Sequence, residues 1–374
     1  MRWRRFPPQV PLVSVLIAII GGGLILLGLM DAFLTILHPD RDGRLSATLN
    51  RGIWYLATIL ARVRTRRRHE TLGFAGPTMV ISDVLLWMLL PILGYGILVW
   101  PFMSGAFDTP TTLDRDLWDA IYFSGVTFTT LGFGDITPLT PVWELLSIAE
   151  AITGFLVMST SIAYIVAVFE GVDQRDALAL KIYSETGGTW NGALFVSRAL
   201  EDEGADRLRG RVEGWASLVR DLHGRLYRFH GLALYLRTHG LDLGPERMLY
   251  ALTDVTLRCQ VLARAPEMRG LRPAADHLAI GVEHFAGALV RRHGTRRSRE
   301  LMERPEPTER DIALVGEVWT AAAARFALSE PAVAPGRDAE LLALAARLRV
   351  FLSELDRLTR WRTLEPGAAT RAAP

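Results

Sequence analysis

The sequence predicts an all-α membrane protein joined to a helical water-soluble half, and three observations carry that prediction. Half of the 374 residues are hydrophobic, and the apolar ones gather in three runs, 10–37, 78–102 and 140–169. These runs hold few charges, namely Asp31, Asp83, and Glu144 with Glu150. Each is longer than the roughly 20 helical residues that cross a bilayer core, so three transmembrane helices are expected. From residue 176 onward the chain is Arg-rich, with apolar residues at spacings of three and four, as in amphipathic helices in water.

The length allows two domains or a little more. The expected division is an N-terminal transmembrane helix (1–38), a basic cytoplasmic linker with an amphipathic helix (39–76), a module of two spans around a re-entrant segment (77–170), and a cytoplasmic all-helical domain (171–374). The opening "MRWRRFPPQVPLVSVLIAIIGGGLILLGLM" has a signal-like basic start. Its apolar run is about twice the length of a signal h-region and no A-x-A-like site follows, so a retained helix is expected.

Composition removes several function classes. The formal net charge is +2, too small a basic excess to argue for nucleic acid. Cys259 is the one cysteine, which excludes an intrachain disulfide and argues against a Cys-built metal site. Lys181 is the one lysine among 42 basic residues, a bias of composition. There is no P-loop, H-E-x-x-H, EF-hand loop or strand followed by G-x-G-x-x-G, so no enzyme, cofactor or nucleotide-binding domain is expected.

Arginine places the ends. Arg41, Arg44, Arg51, Arg62, Arg64, Arg66, Arg67 and Arg68 lie between the first two runs, against Arg2, Arg4 and Arg5 before the first. The positive-inside rule then puts this loop in the cytoplasm, the short N-terminus outside, and the C-terminal half in the cytoplasm. The expected location is the cell membrane, with several passes. Within the loop, "LNRGIWYLATILARV" reads as an interfacial amphipathic helix, or else as an ordinary connecting helix.

The segment 114–139, "DRDLWDAIYFSGVTFTTLGFGDITPL", lies between the last two spans. Asp114 or Asp116 can cap a short helix with apolar Leu117, Ile121 and residues 123–128, ending near Thr129 where Gly132, Phe133 and Gly134 follow. Non-helical backbone at membrane depth survives only when buried in protein or lining a watery path. A helix that enters, stops and returns extended leaves carbonyls with no intrachain donor, and each such buried group costs about 2–7 kcal/mol. Dehydrated cations can take them.

The stretch Thr130-Leu131-Gly132-Phe133-Gly134-Asp135 resembles the T-V-G-Y-G-D selectivity filter of potassium channels, and its flanks resemble the outer helix, pore helix and inner helix of that family over about 77–169. The resemblance implies a carbonyl cage for K+ as permeant ion, the case by which such filters are generally explained. Thr130 would offer hydroxyl and carbonyl, Leu131, Gly132 and Phe133 carbonyls, and Gly134 the turn at the mouth. Thr129, Asp135, Tyr122 and Phe123 would support the filter, with Asp135 tied to Tyr122 and Phe133 packed on Tyr122 and Phe123. Phe133 replaces the commoner Tyr, as in two-pore-domain channels, and Leu131 replaces Val, so a weakly selective cation channel is the alternative to a potassium-selective one. A non-conducting membrane sensor or scaffold is a further one. With one filter per chain, four copies must surround the ion, a homotetramer of cyclic symmetry.

By the same alignment Gly154 falls at the family's hinge glycine, either bending the helix or admitting a close neighbour. Phe155, Met158 and Ile162 would face the cavity and Val166 the bundle crossing. Glu150, one turn before Gly154, is expected to bond behind the pore helix, as a structural acid or a gating element. Asp108, Asp114, Asp116 and Asp119 would lie outside, as a cation-attracting ring or as caps and loop charges. No Arg ladder at every third position marks a voltage sensor.

In the soluble half, Val212, Trp215, Val219, Leu222, Leu226, Phe229, Ala233 and Leu236 form one stripe, and Leu341, Leu344, Leu348, Phe351, Leu355 and Leu358 another. Helices are expected also near 176–201, 247–264, 275–292 and 309–329, with linkers at 305–310 and 329–338 and a frayed end. His223 with His230, and His277 with His284, are seven apart without the closer spacing a metal site prefers.

Overall fold

The computed structural model describes residues 12–38, 43–63, 68–111, 113–226, 236 and 244–359. The chain divides into two compact units, Met1–Tyr55 with Pro77–Ala167, and Leu56–Gly76 with Val168–Pro374. Among the described residues three helical stretches, Leu12–Ile36, Thr71–Ala106 and Pro141–Glu185, are long and apolar enough to cross a membrane. They overlap the three expected spans, 10–37, 78–102 and 140–169, closely. Arg2, Arg4, Arg5, Arg41, Arg64, Arg66, Arg67, Phe229, His230, Ala233 and the C-terminal tail lie outside the described residues.

The described chain begins with α1 (Leu12–Ile36), α2 (Arg44–Val63), α3 (Arg68–Gly73) and α4 (Ala75–Val99), the last continued by a 3-10 turn, Trp100–Phe102. The buried residues of α1, Gly21, Ile25, Gly28, Asp31, Ala32 and Thr35, recur at three or four and make one face. That face meets α4 through small residues. A Cβ on Gly21 would stand 2.5 Å from the Gly94 carbonyl oxygen, and one on Gly28 3.0 Å from the Pro91 ring. Helices in lipid gain from such close approach because no hydrophobic effect drives them together. Pro91 itself stays within α4.

Asp31 ties these helices together. It is buried and accepts hydrogen bonds from the backbone N–H of Leu45 (2.8 Å) and Ser46 (3.2 Å), from the Ser46 hydroxyl, and from Trp87 Nε1 (3.2 Å). Thr35 Oγ1 accepts from the Gly43 N–H at 3.0 Å. The last turn of α1 therefore caps the first turn of α2, where free N–H groups and the helix dipole favour a carboxylate. Nearby, Asp83 of α4 accepts from Asn50 Nδ2 of α2 (3.0 Å) and the Tyr164 hydroxyl (3.3 Å), and Trp87 meets Tyr164 edge-on at 5.1 Å.

After α4 come α5 (Met103–Ala106), β1 (Phe107–Asp108), α6 (Leu117–Phe128), β2 (Thr137–Pro138) and α7 (Pro141–Glu185). The two short strands pair antiparallel, Phe107 opposite Pro138 and Asp108 opposite Thr137. No alternation announces strands of two residues, so an all-α reading overlooks them.

In the second unit the expected helix 176–201 is two. The helix α7 ends at Glu185, and α8 (Gly192–Leu226) starts after a turn in which Gly187 and Gly188 have φ of 65° and 77°. The Gly188 N–H returns to the Tyr183 carbonyl at 2.8 Å, a Schellman-type closure that needs the left-handed region. The Gly-Gly pair carried that signal. Helices α9 (Pro245–Leu262), α10 (Arg272–His293), α12 (Glu309–Phe326) and α13 (Ala339–Thr359) occupy the expected places, and α11 (Arg296–Glu303) was missed.

The first part of one stripe and most of the other line one core, whereas Leu236 is buried outside it and is not helical. Val212, Trp215, Val219 and Leu222 are buried with Leu341, Leu344, Leu348, Phe351 and Leu355, and Trp215 stacks on Phe195 at 4.5 Å. Cys259 is fully buried there, and desolvation pushes its thiol up to about 12. Among the described residues no group of three or more His, Cys, Asp or Glu could hold a metal ion.

The N-terminus of α12 is fixed by a capping box, Thr308 with Asp311, and Asp311 also accepts from Arg349 Nε at 3.0 and 3.1 Å. Burial opposes the Asp311 charge, but the Arg349 and Thr308 donors outweigh it and hold the carboxyl below the usual carboxylate range. Its contribution is then present above the unfolded-state value, about 3.9, and lost as pH falls through the lower folded one. Asp311→Ala should cost about 1–3 kcal/mol at neutral pH by stranding those donors. Thermal unfolding followed by circular dichroism should show the gap to wild type narrowing in acid; a gap that acid leaves unchanged would contradict the assignment.

Candidate functional site

The loop between α6 and β2 is built from both its ends. Asp116 caps α6 through the Asp119 N–H at 3.0 Å, and Asp119 answers by accepting from the Asp116 N–H. Of the acidic residues expected outside, these two are therefore helix caps. The helix stops at Thr129, whose N–H bonds the Gly125 carbonyl and whose hydroxyl donates to the same carbonyl at 2.6 Å. The N–H groups of Leu131 and Gly132 both return to the Val126 carbonyl, at 2.9 and 3.3 Å.

The carbonyls are treated differently from the N–H groups. Thr130, Gly132 and Gly134 have φ of 58°, 61° and 75°, whereas Leu131 and Phe133 are not in the left-handed region. Alternation of this kind turns successive carbonyls to one side, where a regular strand would send them to opposite sides. A β-branched residue at positive φ is a true outlier, and such strain collects at functional sites. Among the described residues no hydrogen bond reaches the carbonyls of Thr130, Leu131, Gly132 or Phe133. The stretch from Thr129 to Asp135 is exposed in the single chain.

The loop is braced from the α6 side. The Tyr122 hydroxyl donates to Asp135 at 2.8 Å, Asp135 accepts from the Ile136 N–H at 3.0 Å, and the Tyr122 and Phe133 rings stack with centroids 6.5 Å apart. Phe123 does not join them, contrary to expectation. Consecutive helical residues point about 100° apart, so Phe123 turns away and meets Phe107 of β1 at 5.1 Å, in a cluster with Val99, Met103, Ala120 and Ile136. The two-residue ribbon matters here, because it carries Phe107 to that cluster.

Behind α6 lies α7. A Cβ on Gly154 would stand 1.8 Å from the carbonyl oxygen of Phe128, so this glycine admits the last turn of α6. The helix runs from Pro141 to Glu185 without a break, and at Gly154 it has the close neighbour that a glycine admits. Glu150, one turn earlier and 1% exposed, contacts Ser124 of α6. Phe155, Met158, Ile162 and Val166 are exposed in the single chain. Ser124 and Phe128 were not singled out in sequence; their partners lie on another helix, and no local pattern encodes that.

Known proteins bear on this segment directly. A family model described as "Ion channel" matches residues 85–171. The matched stretch runs from within α4 through α6 and into α7, so this segment is similar to ion-channel domains. Its similarities run to "Two pore potassium channel c" of Oryza sativa subsp. japonica, 33% identical over 93 residues (24% of this chain, 20% of the relative), and "Voltage-gated potassium channel" of Aeropyrum pernix, 29% identical over 66 residues (18% and 22%). "Uncharacterized membrane protein YdjJ" of Bacillus subtilis is 29% identical over 133 residues (34% and 39%). The chain thus spans between a fifth and two-fifths of the length of these relatives. Together the family match and the two channel relatives support a potassium-channel family. No solved structure matches the chain.

Gly154→Ala should sharply reduce the yield of folded protein, because the methyl would overlap a backbone oxygen that cannot swing aside. Gly23→Ala, which meets nothing within 4 Å, should not. Size-exclusion profiles of the two variants test this; an equal, well-folded G154A would show that α6 and α7 do not meet so closely.

Proposed function

We propose that the protein is a potassium-selective channel that assembles as a homotetramer and passes K+ passively through the carbonyls of Thr130, Leu131, Gly132 and Phe133, with Gly134 turning the chain at the mouth. The observation that carries the reading is the alternating backbone at Thr130, Gly132 and Gly134, with four carbonyls that no donor reaches among the described residues. Carbonyl rings replace a cation's hydration shell. The relatives named as potassium channels support potassium as that cation.

One loop covers one side of an ion, so the remaining oxygens come from further copies. Apolar side chains of α7 that a single chain leaves exposed, Phe155, Ile162 and Val166 among them, supply a surface for cavity and contacts. Asp135, held by Tyr122, and Thr129, bonded back into α6, keep the filter's two ends in place. The arginine-rich loop supports a cytoplasmic C-terminal unit, an external N-terminus and residence in the cell membrane. The C-terminal helical unit would regulate or assemble the channel. A weakly selective cation channel is the second reading, since Phe133 brings no hydroxyl to the contact that stacks it on Tyr122.

Purified full-length protein in liposomes should release K+ along its gradient and pass Na+ far less, and chemical cross-linking should trap four chains. Gly132→Val or Gly134→Val should abolish the flux, as side chains at those φ values are strained. Equal passage of both ions would select the weakly selective reading; no flux in either, with a monomeric chain, would reject both.

A further inference from the structure

The contact between α6 and α7 requires a particular proton. Ser124 is fully buried on α6, and its Oγ is within hydrogen-bond distance of two oxygens, the Ile92 carbonyl of α4 at 2.8 Å and the Glu150 carboxyl of α7. A serine hydroxyl has one proton, and a carbonyl can only accept. If that proton goes to Ile92, the Glu150 contact needs a proton from the carboxyl. The opposite assignment, Ser124 donating to an ionised Glu150, sets the lone pairs of Ser124 and Ile92 against each other at 2.8 Å.

Charge argues the same way. Glu150 is 1% exposed, and among the described residues no cationic side chain interacts with it. Tyr95 of α4 is its titratable neighbour, and a phenol brings no positive charge. An isolated buried carboxylate is far more costly than a neutral acid with a hydrogen-bond acceptor. Both conditions are met when Glu150 is the donor.

We propose that Glu150 keeps its proton in the working protein and donates it to Ser124, so that a directed chain, Glu150 to Ser124 to the Ile92 carbonyl, locks the inner helix, the pore helix and the outer helix together. Glu150 is in this sense a positioning residue. It acts through Ser124 on α6, four residues before Phe128, whose carbonyl rests on Gly154. The Val126 carbonyl that holds Leu131 and Gly132 lies between those two contacts. The directed chain therefore sets where the filter begins.

Infrared difference spectra of full-length protein in liposomes at neutral pH, wild type minus Glu150→Gln, read the proton directly. The carbonyl stretch of a protonated carboxylic acid is expected; paired carboxylate bands in its place would overturn the proposal. In the flux assay, which rests on the channel reading, E150Q keeps a donor toward Ser124 and should stay within about twofold of wild type, whereas Glu150→Ala, which leaves Ser124 unmet, should lose about tenfold or more. E150Q failing as badly as E150A would also overturn it. The spectrum reports the proton whether or not ions pass, so that a silent wild type would reject the channel reading alone.

Discussion

The constraint on which the first unit depends is the hydrogen-bonding capacity of four consecutive carbonyls, Thr130 to Phe133, left unmet among the described residues. A backbone with positive φ at Thr130, Gly132 and Gly134 forgoes both helix and sheet, and it holds only where its surroundings over-determine it. The surroundings do so from three directions. The Val126 carbonyl fixes the entrance through two N–H groups, the Tyr122 hydroxyl fixes the exit through Asp135, and the Phe133 ring is stacked on Tyr122. Each brace belongs to α6, so the position of α6 becomes the next requirement.

That requirement is met by shape on one side and by polarity on another. Gly154 lets the end of α6 approach to backbone contact, while Ser124 holds its middle against α4 and α7. Phe107, delivered by the short ribbon, closes the third side through Phe123. A short helix of modest intrinsic stability is thereby placed by contacts that lie far apart in sequence.

This separation explains what the sequence revealed. The three spans were legible because a bilayer-length apolar run has few other readings, and the break after α6 was legible because the residues that make it, Thr130 to Asp135, are adjacent. The ends of α6 were legible too, from Asp116 and from Gly132 and Gly134. What escaped was pairwise: Phe123 turning to Phe107, Ser124 meeting Ile92 and Glu150, Asp31 meeting Ser46 and Trp87. Helical periodicity assigns a face, but it does not name the neighbour. In the soluble unit the stripes hold for Val212, Trp215, Val219 and Leu222 and for Leu341 to Leu355, but Leu236 is not helical and lies outside that core, and apolar spacing that continues across Gly187-Gly188 hides the break there.

The Asp31 clasp has a consequence for the order of assembly. Its partners Leu45 and Ser46 follow it by 14 and 15 residues, whereas Trp87 follows by 56. During synthesis, therefore, a carboxylate entering the membrane with α1 meets the start of α2 long before α4 exists. The polar contacts of the α1–α2 corner are thus local in sequence, and Trp87 can join them only when the next span arrives.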